Sequence, residues 1–208
     1  MRFVLFVEGH TEKLAIPSFL KRWLDSQLVH PVGIKTVRFE GWCHYESEIA
    51  KKVELNISGR AGQDVVAGVG LLDLYGPTFY PSEMKTVDDR LRWAKGYLER
   101  KVGNSRFTQH FAVHELEAWL LAAPAAFPKA VGCALPGRVA HPETVDLDEP
   151  PAKLLGRLYR EKLNRGYRKI IDGVNLFANL DPVLSYRKCP RLKLLLDDML
   201  QRAQGAGL

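Results

Sequence analysis

Residues 1–12 read MRFVLFVEGHTE, and this stretch decides the fold. The apolar run 3–7 has the length of a buried strand, and an amphipathic helical pattern begins directly after the turn at Glu8 and Gly9. A strand that turns through glycine into a helix predicts a parallel α/β sheet, which binds ligands at the carboxyl ends of its strands. Glu8 and Glu12 would lie at that edge, and two carboxylates there indicate a hard cation such as Mg²⁺.

Size and composition predict one soluble domain, with or without an appendage. The chain has 208 residues, of which 46% are hydrophobic and 26% are charged. It contains no run of about 18 apolar residues that could cross a membrane, and the short apolar start does not have the layout of a signal peptide. The three cysteines (Cys43, Cys133 and Cys189) have neither zinc-site nor redox spacing, which predicts a reduced, cytoplasmic protein.

Positive charge is concentrated near the C-terminus. Residues 1–152 contain 18 Lys/Arg and 19 Asp/Glu, whereas residues 153–208 contain 12 and 5, a net charge of +7. This asymmetry is compatible with a polyanionic partner such as nucleic acid, and equally with solvated helix surfaces.

Strand and helix patterns alternate along the first 122 residues. Strands are predicted at 3–7, 33–39, 64–74 and 107–113, and helices at 11–28, 46–57, 82–103 and 115–122. Further helices are predicted at 152–163, 168–178 and 190–203. This order predicts a mostly parallel sheet flanked by helices. We divide the chain into a catalytic core (1–123), a loop or insertion (124–151) and a basic helical extension packed on the core (152–208).

Carboxylates follow three of the predicted strands. Glu8 ends the first strand, Asp73 ends the third, and Glu115 and Glu117 follow the fourth. If these strands are neighbours, the carboxylates meet at one edge and repel one another unless a cation neutralises them. The plainer interpretations are a turn cap for Asp73 and a favourable helix-dipole position for Glu115 or Glu117.

Three motifs in this sequence resemble those of Toprim domains, which occur in topoisomerases, primases and OLD-type nucleases. VEGHTE (residues 7–12) is similar to the opening Toprim motif, and LLDLYG (71–76) is similar to the Asp-x-Asp strand end. HELEAWLL (114–121) resembles the third acidic motif of OLD-like nucleases. The combination is most similar to an uncharacterised bacterial Toprim-like family whose members often accompany an ABC- or AAA-type ATPase. The similarity continues to Cys189 and Pro190 and so spans nearly the whole chain.

This resemblance implies a Toprim-like fold and a function for each acidic residue. Glu8 would be the Toprim glutamate, acting as a ligand or in proton transfer, and Glu12 would bind a second metal ion. Asp73 would hold the first Mg²⁺ or Mn²⁺, and Glu117, with Glu115 beside it, would complete the site. Glu8, Asp73 and Glu117 are thus the expected catalytic residues. The second aspartate of Asp-x-Asp is Tyr75 here, and a neutral phenol is a poor Mg²⁺ ligand, so Glu115 or Glu117 replaces it or metal binding is weaker.

The expected function is a metal-dependent nuclease acting on DNA or RNA, working with an ATPase partner in phage defence or DNA processing. Basic residues after 152 would bind phosphates (Arg157, Arg160, Arg165, Arg168 and Lys169), and Tyr159 or Tyr167 could stack a base. The alternative is a non-catalytic Toprim-like module that binds and regulates the ATPase, which the change to Tyr75 favours. Nucleotidyl transfer of the primase type is a third reading, for which the sequence offers no nucleotide-recognition element. The oligomeric state is left open.

Overall fold

Four parallel strands form the central sheet of the protein. The structure, a computed structural model, describes residues 1–135, 141–144 and 149–208. The strands are β1 (Arg2–Val7), β2 (Gly33–Arg38), β3 (Val65–Asp73) and β4 (Phe107–Ala112), in the order β2-β1-β3-β4. All neighbouring pairs are parallel. The predicted parallel α/β architecture is therefore confirmed, and the three strands that precede the candidate carboxylates (β1, β3 and β4) lie side by side.

Helices cover both faces of the sheet because side chains alternate along each strand. Phe3, Leu5 and Val7 of β1 face one core and Val4 and Phe6 face the other. The helices of the first half are α1 (His10–Asp25), α2 (Trp42–Ile57), α3 (Val87–Val102) and the short α4 (Glu117–Leu120). The first core packs against α1 and α4, and the second packs against α2 and α3.

The C-terminal helices pack on the same face as α1. They are the short α5 (Lys129–Gly132), α6 (Pro151–Leu163), α7 (Val174–Asn179), α8 (Pro182–Lys188) and α9 (Pro190–Gly205). Leu155 of α6, Phe177 of α7 and Leu195 of α9 are buried in one cluster with Phe3 and Leu5 of β1. The segment after residue 151 thus shares a hydrophobic core with the sheet. The division of the chain at residues 123 and 151 stays a prediction.

Several elements differ from their predicted bounds. Helix α3 begins at Val87 rather than at 82, because the Thr86 hydroxyl accepts a hydrogen bond from the Asp89 backbone N–H (3.1 Å) and caps the helix there. The predicted helix 168–178 is a π-helical turn (Lys169–Gly173) followed by α7. Helix α8 was not predicted. Pro17 lies inside α1 without ending it.

The region 124–151, predicted as a loop or insertion, contains short helical pieces where it is described. One-turn 3₁₀ segments occupy Pro124–Ala126 and Pro142–Thr144, on either side of α5. Residues 136–140 and 145–148 lie outside the described part. Across the described residues, no helix has the length and apolar character needed to cross a membrane.

Candidate functional site

The carboxyl ends of β1, β3 and β4 bring the predicted acidic residues together. In the sheet Val7 pairs with Leu71, and Asp73 pairs with Ala112. Glu8 and Asp73 therefore emerge from adjacent strands, and the chain leaving β4 leads directly to Glu115 and Glu117. We call this group of carboxylates (Glu8, Glu12, Asp73, Glu115 and Glu117) the acidic cluster.

Glu8 and Glu12 lie on either side of the turn from β1 into α1. The Glu8 carboxyl is partly buried and accepts a hydrogen bond from the backbone of Trp42. Burial, and then the charge of Glu12, raise its pKa. A Cβ atom at Gly9 would lie 2.7 Å from Oε2 of Glu12, so the absence of a side chain at this turn leaves room for the Glu12 carboxylate.

Asp73 links two strand ends. Its Oδ1 accepts a hydrogen bond from the backbone N–H of Leu116 (3.0 Å), which fixes the segment after β4 against the end of β3. Burial, and then the charges of Glu12 and Glu117, raise the pKa of Asp73 well above its usual range. The aspartate is thus held firmly in place at a position where its negative charge is unfavourable.

Glu115 and Glu117 enter the cluster from the start of α4. Glu117 is almost completely buried, with 3% of its surface exposed, and this burial raises its pKa. Oε2 of Glu115 accepts a hydrogen bond from the backbone N–H of Ala152 (2.9 Å) at the start of α6. Glu115 therefore connects the acidic cluster to the C-terminal helices.

Lys169 places an ammonium group among these carboxylates. Its Nζ lies 3.4 Å from Glu117 Oε1 and 3.7 Å from Glu115 Oε1. Burial opposes the charged form, but Glu117, Glu115 and Asp73 raise the pKa of Lys169 above its usual value. About half of the side chain remains exposed (47%), so the ammonium group both faces solvent and partly neutralises the cluster.

Two tyrosines differ sharply in their surroundings. Tyr75 is 51% exposed, and its backbone N–H donates a hydrogen bond to the carbonyl of His114 (2.9 Å). The Tyr167 hydroxyl is buried and has no hydrogen-bond partner among the described residues. It lies close to Gly173, where an added Cβ atom would be 2.8 Å from it. Burial, and then the charge of Glu117, raise the pKa of Tyr167.

The carboxylates of the acidic cluster suit a hard cation, although they do not form a complete coordination shell. All five side chains offer carboxylate oxygens, the ligands that Mg²⁺ and Mn²⁺ prefer. Within the described residues, no three His, Cys, Asp or Glu side chains are arranged so as to hold an ion. Mg²⁺ does not require such a shell, since it commonly binds through one or two carboxylates, several waters and substrate phosphates.

Most of the basic residues expected to bind phosphates have carboxylate partners. The guanidinium of Arg165 forms a bidentate ion pair with the Asp172 carboxylate, with 2.8 Å to each oxygen. Arg157 Nε lies 2.6 Å from Glu149 Oε1. Tyr159, a predicted stacking residue, is 1% exposed and unable to reach a base. Of the five named basic residues, Arg160 alone has no ion pair with another described residue.

Comparison with known proteins identifies the family. The sequence profile of a domain of unknown function, DUF4276, matches residues 7–200. The chain belongs to the DUF4276 family. The match includes all of the acidic cluster and Lys169, so the whole candidate site lies inside this domain. A search of curated proteins gives no significant match.

Solved structures similar to this DUF4276 protein include C-terminal regions of OLD proteins. The one from Xanthomonas campestris pv. campestris is 18% identical with a TM-score of 0.44, and the comparison covers 98% of this chain and 96% of that one. The one from Burkholderia pseudomallei is 18% identical with a TM-score of 0.41, covering 94% and 97% respectively.

Sequence reasoning missed two features of the site. Lys169 was expected to contact nucleic acid, not Glu115 and Glu117, and the bond from Leu116 to Asp73 was not anticipated. Both contacts join segments more than 40 residues apart, and a pattern read along the chain carries no signal for such pairs.

Proposed function

We propose that this DUF4276 protein is a metal-dependent nuclease that hydrolyses phosphodiester bonds in DNA or RNA. The observation that supports this most strongly is the acidic cluster, which gathers five carboxylates at the ligand-binding edge of a parallel sheet. Mutual repulsion and burial make this arrangement costly for stability, and such a cost is typical of functional sites. The motif resemblance to Toprim nucleases points the same way.

Asp73 and Glu117 are the proposed principal ligands of Mg²⁺ or Mn²⁺, with Glu8, Glu12 and Glu115 around them. A divalent ion at this place would polarise the phosphate and activate water. Asp73 is held for this by the Leu116 N–H, and Glu117 by its burial in α4. Glu8 lies partly exposed at the turn, where it can accept a proton from the attacking water.

The ATPase partner and phage defence belong to this proposal as its biological setting. They come from the motif resemblance, in which related chains accompany an ABC- or AAA-type ATPase. A direct test is co-purification of this chain with an ATPase encoded beside it, followed by a nuclease assay with and without ATP. Stimulation of cleavage by the ATPase would support the setting.

A non-catalytic module that regulates such an ATPase is the second candidate, and two observations favour it. Tyr75 replaces a carboxylate of the metal motif and points to solvent. Lys169 already supplies a cation to Glu115 and Glu117, which reduces the need for a metal ion. In this reading the acidic cluster and Lys169 are a structural ion-pair network.

The substitution Glu8→Gln separates the two candidates. It keeps the size of the side chain and its hydrogen bonding but removes the charge, and a positioned acid or base contributes about 10²–10⁴-fold to rate. Cleavage of DNA or RNA in Mg²⁺ or Mn²⁺ should fall at least about 100-fold, while the melting temperature stays the same or rises because a repulsion is removed. Glu54→Gln, at an exposed site on α2, is the matched control.

The two outcomes exclude each other. A folded Glu8→Gln protein that lacks cleavage, beside a fully active Glu54→Gln protein, would rule out the module. Full biological activity of Glu8→Gln, with unchanged ATPase binding and no metal-dependent cleavage by the wild type, would rule out the nuclease.

A further inference from the structure

A cavity of about 540 Å³ opens beside the acidic cluster. The loop after β3 and the start of α3 form its walls, and Tyr75, Tyr80, Lys85 and Arg90 line it. No Asp or Glu occurs among the described residues that line it. Its chemistry is therefore opposite to that of its neighbour, with cations and aromatic rings next to a group of carboxylates.

The cavity lies within reach of the proposed reaction centre. Tyr75 follows Asp73 by two residues, and its backbone N–H is fixed to His114 after β4. Tyr80 is within electrostatic range of Glu8, and its hydroxyl donates to the Leu74 carbonyl (3.0 Å). A ligand in the cavity would thus extend from the ends of β1 and β3.

Tyr75 presents an aromatic face to solvent on a fixed backbone. Its side chain makes no ring contact and no hydrogen bond with the described residues, and half of it is exposed. Gly76, at φ 117°, then turns the chain away in a conformation that other residues rarely adopt. An exposed, anchored ring of this kind is a surface on which a planar group can stack.

Lys85 and Arg90 supply the positive charge of the cavity. Arg90 Nε donates to the Met84 carbonyl (3.1 Å), and its guanidinium lies 5.4 Å from the Tyr80 ring centre. Neither Lys85 nor Arg90 has an ion pair among the residues that the structure describes, whereas Arg157 and Arg165 do. This pair of cations is available for the phosphates of a ligand.

We propose that this cavity binds an unpaired nucleotide of single-stranded nucleic acid next to the phosphodiester bond to be cleaved. Tyr75 stacks on the base, and Lys85 and Arg90 bind the adjoining phosphates. The strand must be single there, because bases in a duplex stack on one another and do not expose their faces. The position of the cleaved bond rests on the proposed nuclease function, but binding of the strand does not.

The test measures binding without cleavage. A fluorescently labelled single-stranded oligonucleotide of mixed sequence is titrated with protein in EDTA, and the same strand annealed to its complement is titrated in parallel. Loss of one stacked base is worth about 1–3 kcal/mol, so Tyr75→Ala should bind the single strand at least about 5-fold more weakly. Tyr75→Phe should bind as the wild type does, and duplex binding should not change with either variant.

The charges have their own readout. Lys85→Gln should lower the slope of log affinity against log salt by about 0.7, the value for one phosphate contact on a single strand. Lys51→Gln on α2 removes the same charge elsewhere and should leave the slope unchanged. Arg90→Gln should lower the slope by the same amount. Because this change also removes the hydrogen bond to Met84, Arg90→Lys, which keeps the charge, is its control and should leave the slope unchanged.

Equal single-strand binding by wild type and Tyr75→Ala would overturn the proposal, as would a Tyr75→Phe protein as weak as Tyr75→Ala. A wild type that cleaves nucleic acid while Tyr75→Ala binds normally would refute this inference alone. A protein that never cleaves, yet binds single strands through Tyr75, would refute the nuclease and leave the inference standing.

Discussion

Lys169 and Asp73 show how single residues set the balance of the site. Asp73 is hydrogen bonded in place and surrounded by other acids, whereas Lys169 brings a positive charge to the cluster. A metal ion entering the acidic cluster would be attracted by the first and repelled by the second. Substitutions at the two positions should therefore change metal affinity in opposite directions.

Asp73→Asn should weaken Mn²⁺ binding, and Lys169→Met should strengthen it. The asparagine can still accept the hydrogen bond from Leu116, so the change removes charge rather than structure. We expect a shift of at least about 10-fold in each direction, equivalent to about 1.4 kcal/mol. Isothermal titration calorimetry on both proteins measures it. Equal or weaker binding by Lys169→Met would show that the ion binds away from this lysine.

Gly70 illustrates why a residue inside a strand can be small. A Cβ atom there would lie 2.3 Å from both Tyr45 Oη and Gln109 Oε1, which are joined by a buried hydrogen bond of 2.7 Å. Gly70→Ala should therefore force this pair apart and leave buried polar groups unsatisfied, at a cost of about 1–3 kcal/mol. Chemical denaturation measures the loss. Tyr45→Phe combined with Gly70→Ala should recover part of it, and a Gly70→Ala protein as stable as the wild type would contradict this reading.

At the scale of elements, the sequence pattern predicted those helices and strands whose bounds depend on residues near one another in the chain. The four strands, α6 and α9 were predicted within two residues of their observed bounds, because apolar periodicity reports which face is buried. Helix α2 begins four residues before its predicted start, and α1 ends three residues before its predicted end. The start of α3 was missed because its cap, Thr86, was overlooked. Helix α8, which is capped by Asp181 and ends before Pro190, has only seven residues and is too short for a clear apolar periodicity.

The π-helical turn owes its shape to contacts that periodicity does not show. Asp172 lies in this turn, accepting two bonds from Arg165 and one from the Arg168 backbone N–H (2.8 Å). Together these bonds shape the segment that carries Tyr167 and Lys169, and Lys169 joins it to the acidic cluster through Glu115 and Glu117. The candidate acids could be predicted from strand ends, but the position of this segment beside them depends on the long-range contacts of Lys169.

Asp172→Asn should destabilise the protein in a pH-dependent way. The hydrogen bond with Arg165 is the main reason that the pKa of Asp172 is lowered. A lowered folded-state pKa means that its contribution is fully present above the unfolded value, near 3.9, and is lost as pH falls through the folded value. At pH 7 the loss should be about 1–3 kcal/mol.

Urea denaturation of both proteins between neutral and strongly acidic pH measures this difference. The gap between wild type and Asp172→Asn should narrow as the pH falls below the usual aspartate value. A gap that is constant with pH would show that the substitution acts through packing rather than through the ion pair with Arg165.

At the scale of the whole molecule, net charge overstates the surface available for nucleic acid. The segment 153–208 carries a net charge of +7, yet Arg157, Arg165 and Lys169 have carboxylate partners. The partners of Arg157 and Lys169, Glu149 and Glu117, lie outside the segment. Composition correctly located the positive charge but could not tell paired from unpaired side chains. The backbone N–H of Ala152 at the start of α6 donates to Glu115, and Lys169, which follows α6, contacts the same carboxylate. Both ends of the segment that contains α6 are therefore attached to the acidic cluster.

Arg160 and Lys162 of α6 are two of the unpaired, exposed basic residues in this segment, and Lys153 and Arg187 are two others. None of the four has an ion pair with any residue in 1–135, 141–144 or 149–208. If Arg160 and Lys162 contact phosphates, the double substitution Arg160→Gln, Lys162→Gln should reduce the slope of log affinity against log salt by about 1.4 for single strands. The matched control is Lys51→Gln, Lys52→Gln, which removes the same charge from α2 on the opposite face of the sheet. Affinities are measured at several salt concentrations in EDTA. If α6 contacts phosphates directly, only the α6 double variant should have a lower slope, whereas general attraction by the net charge would lower the slope of both double variants equally. Equal slopes for the two double variants would mean that Arg160 and Lys162 face solvent or a protein partner, and that phosphates are bound elsewhere.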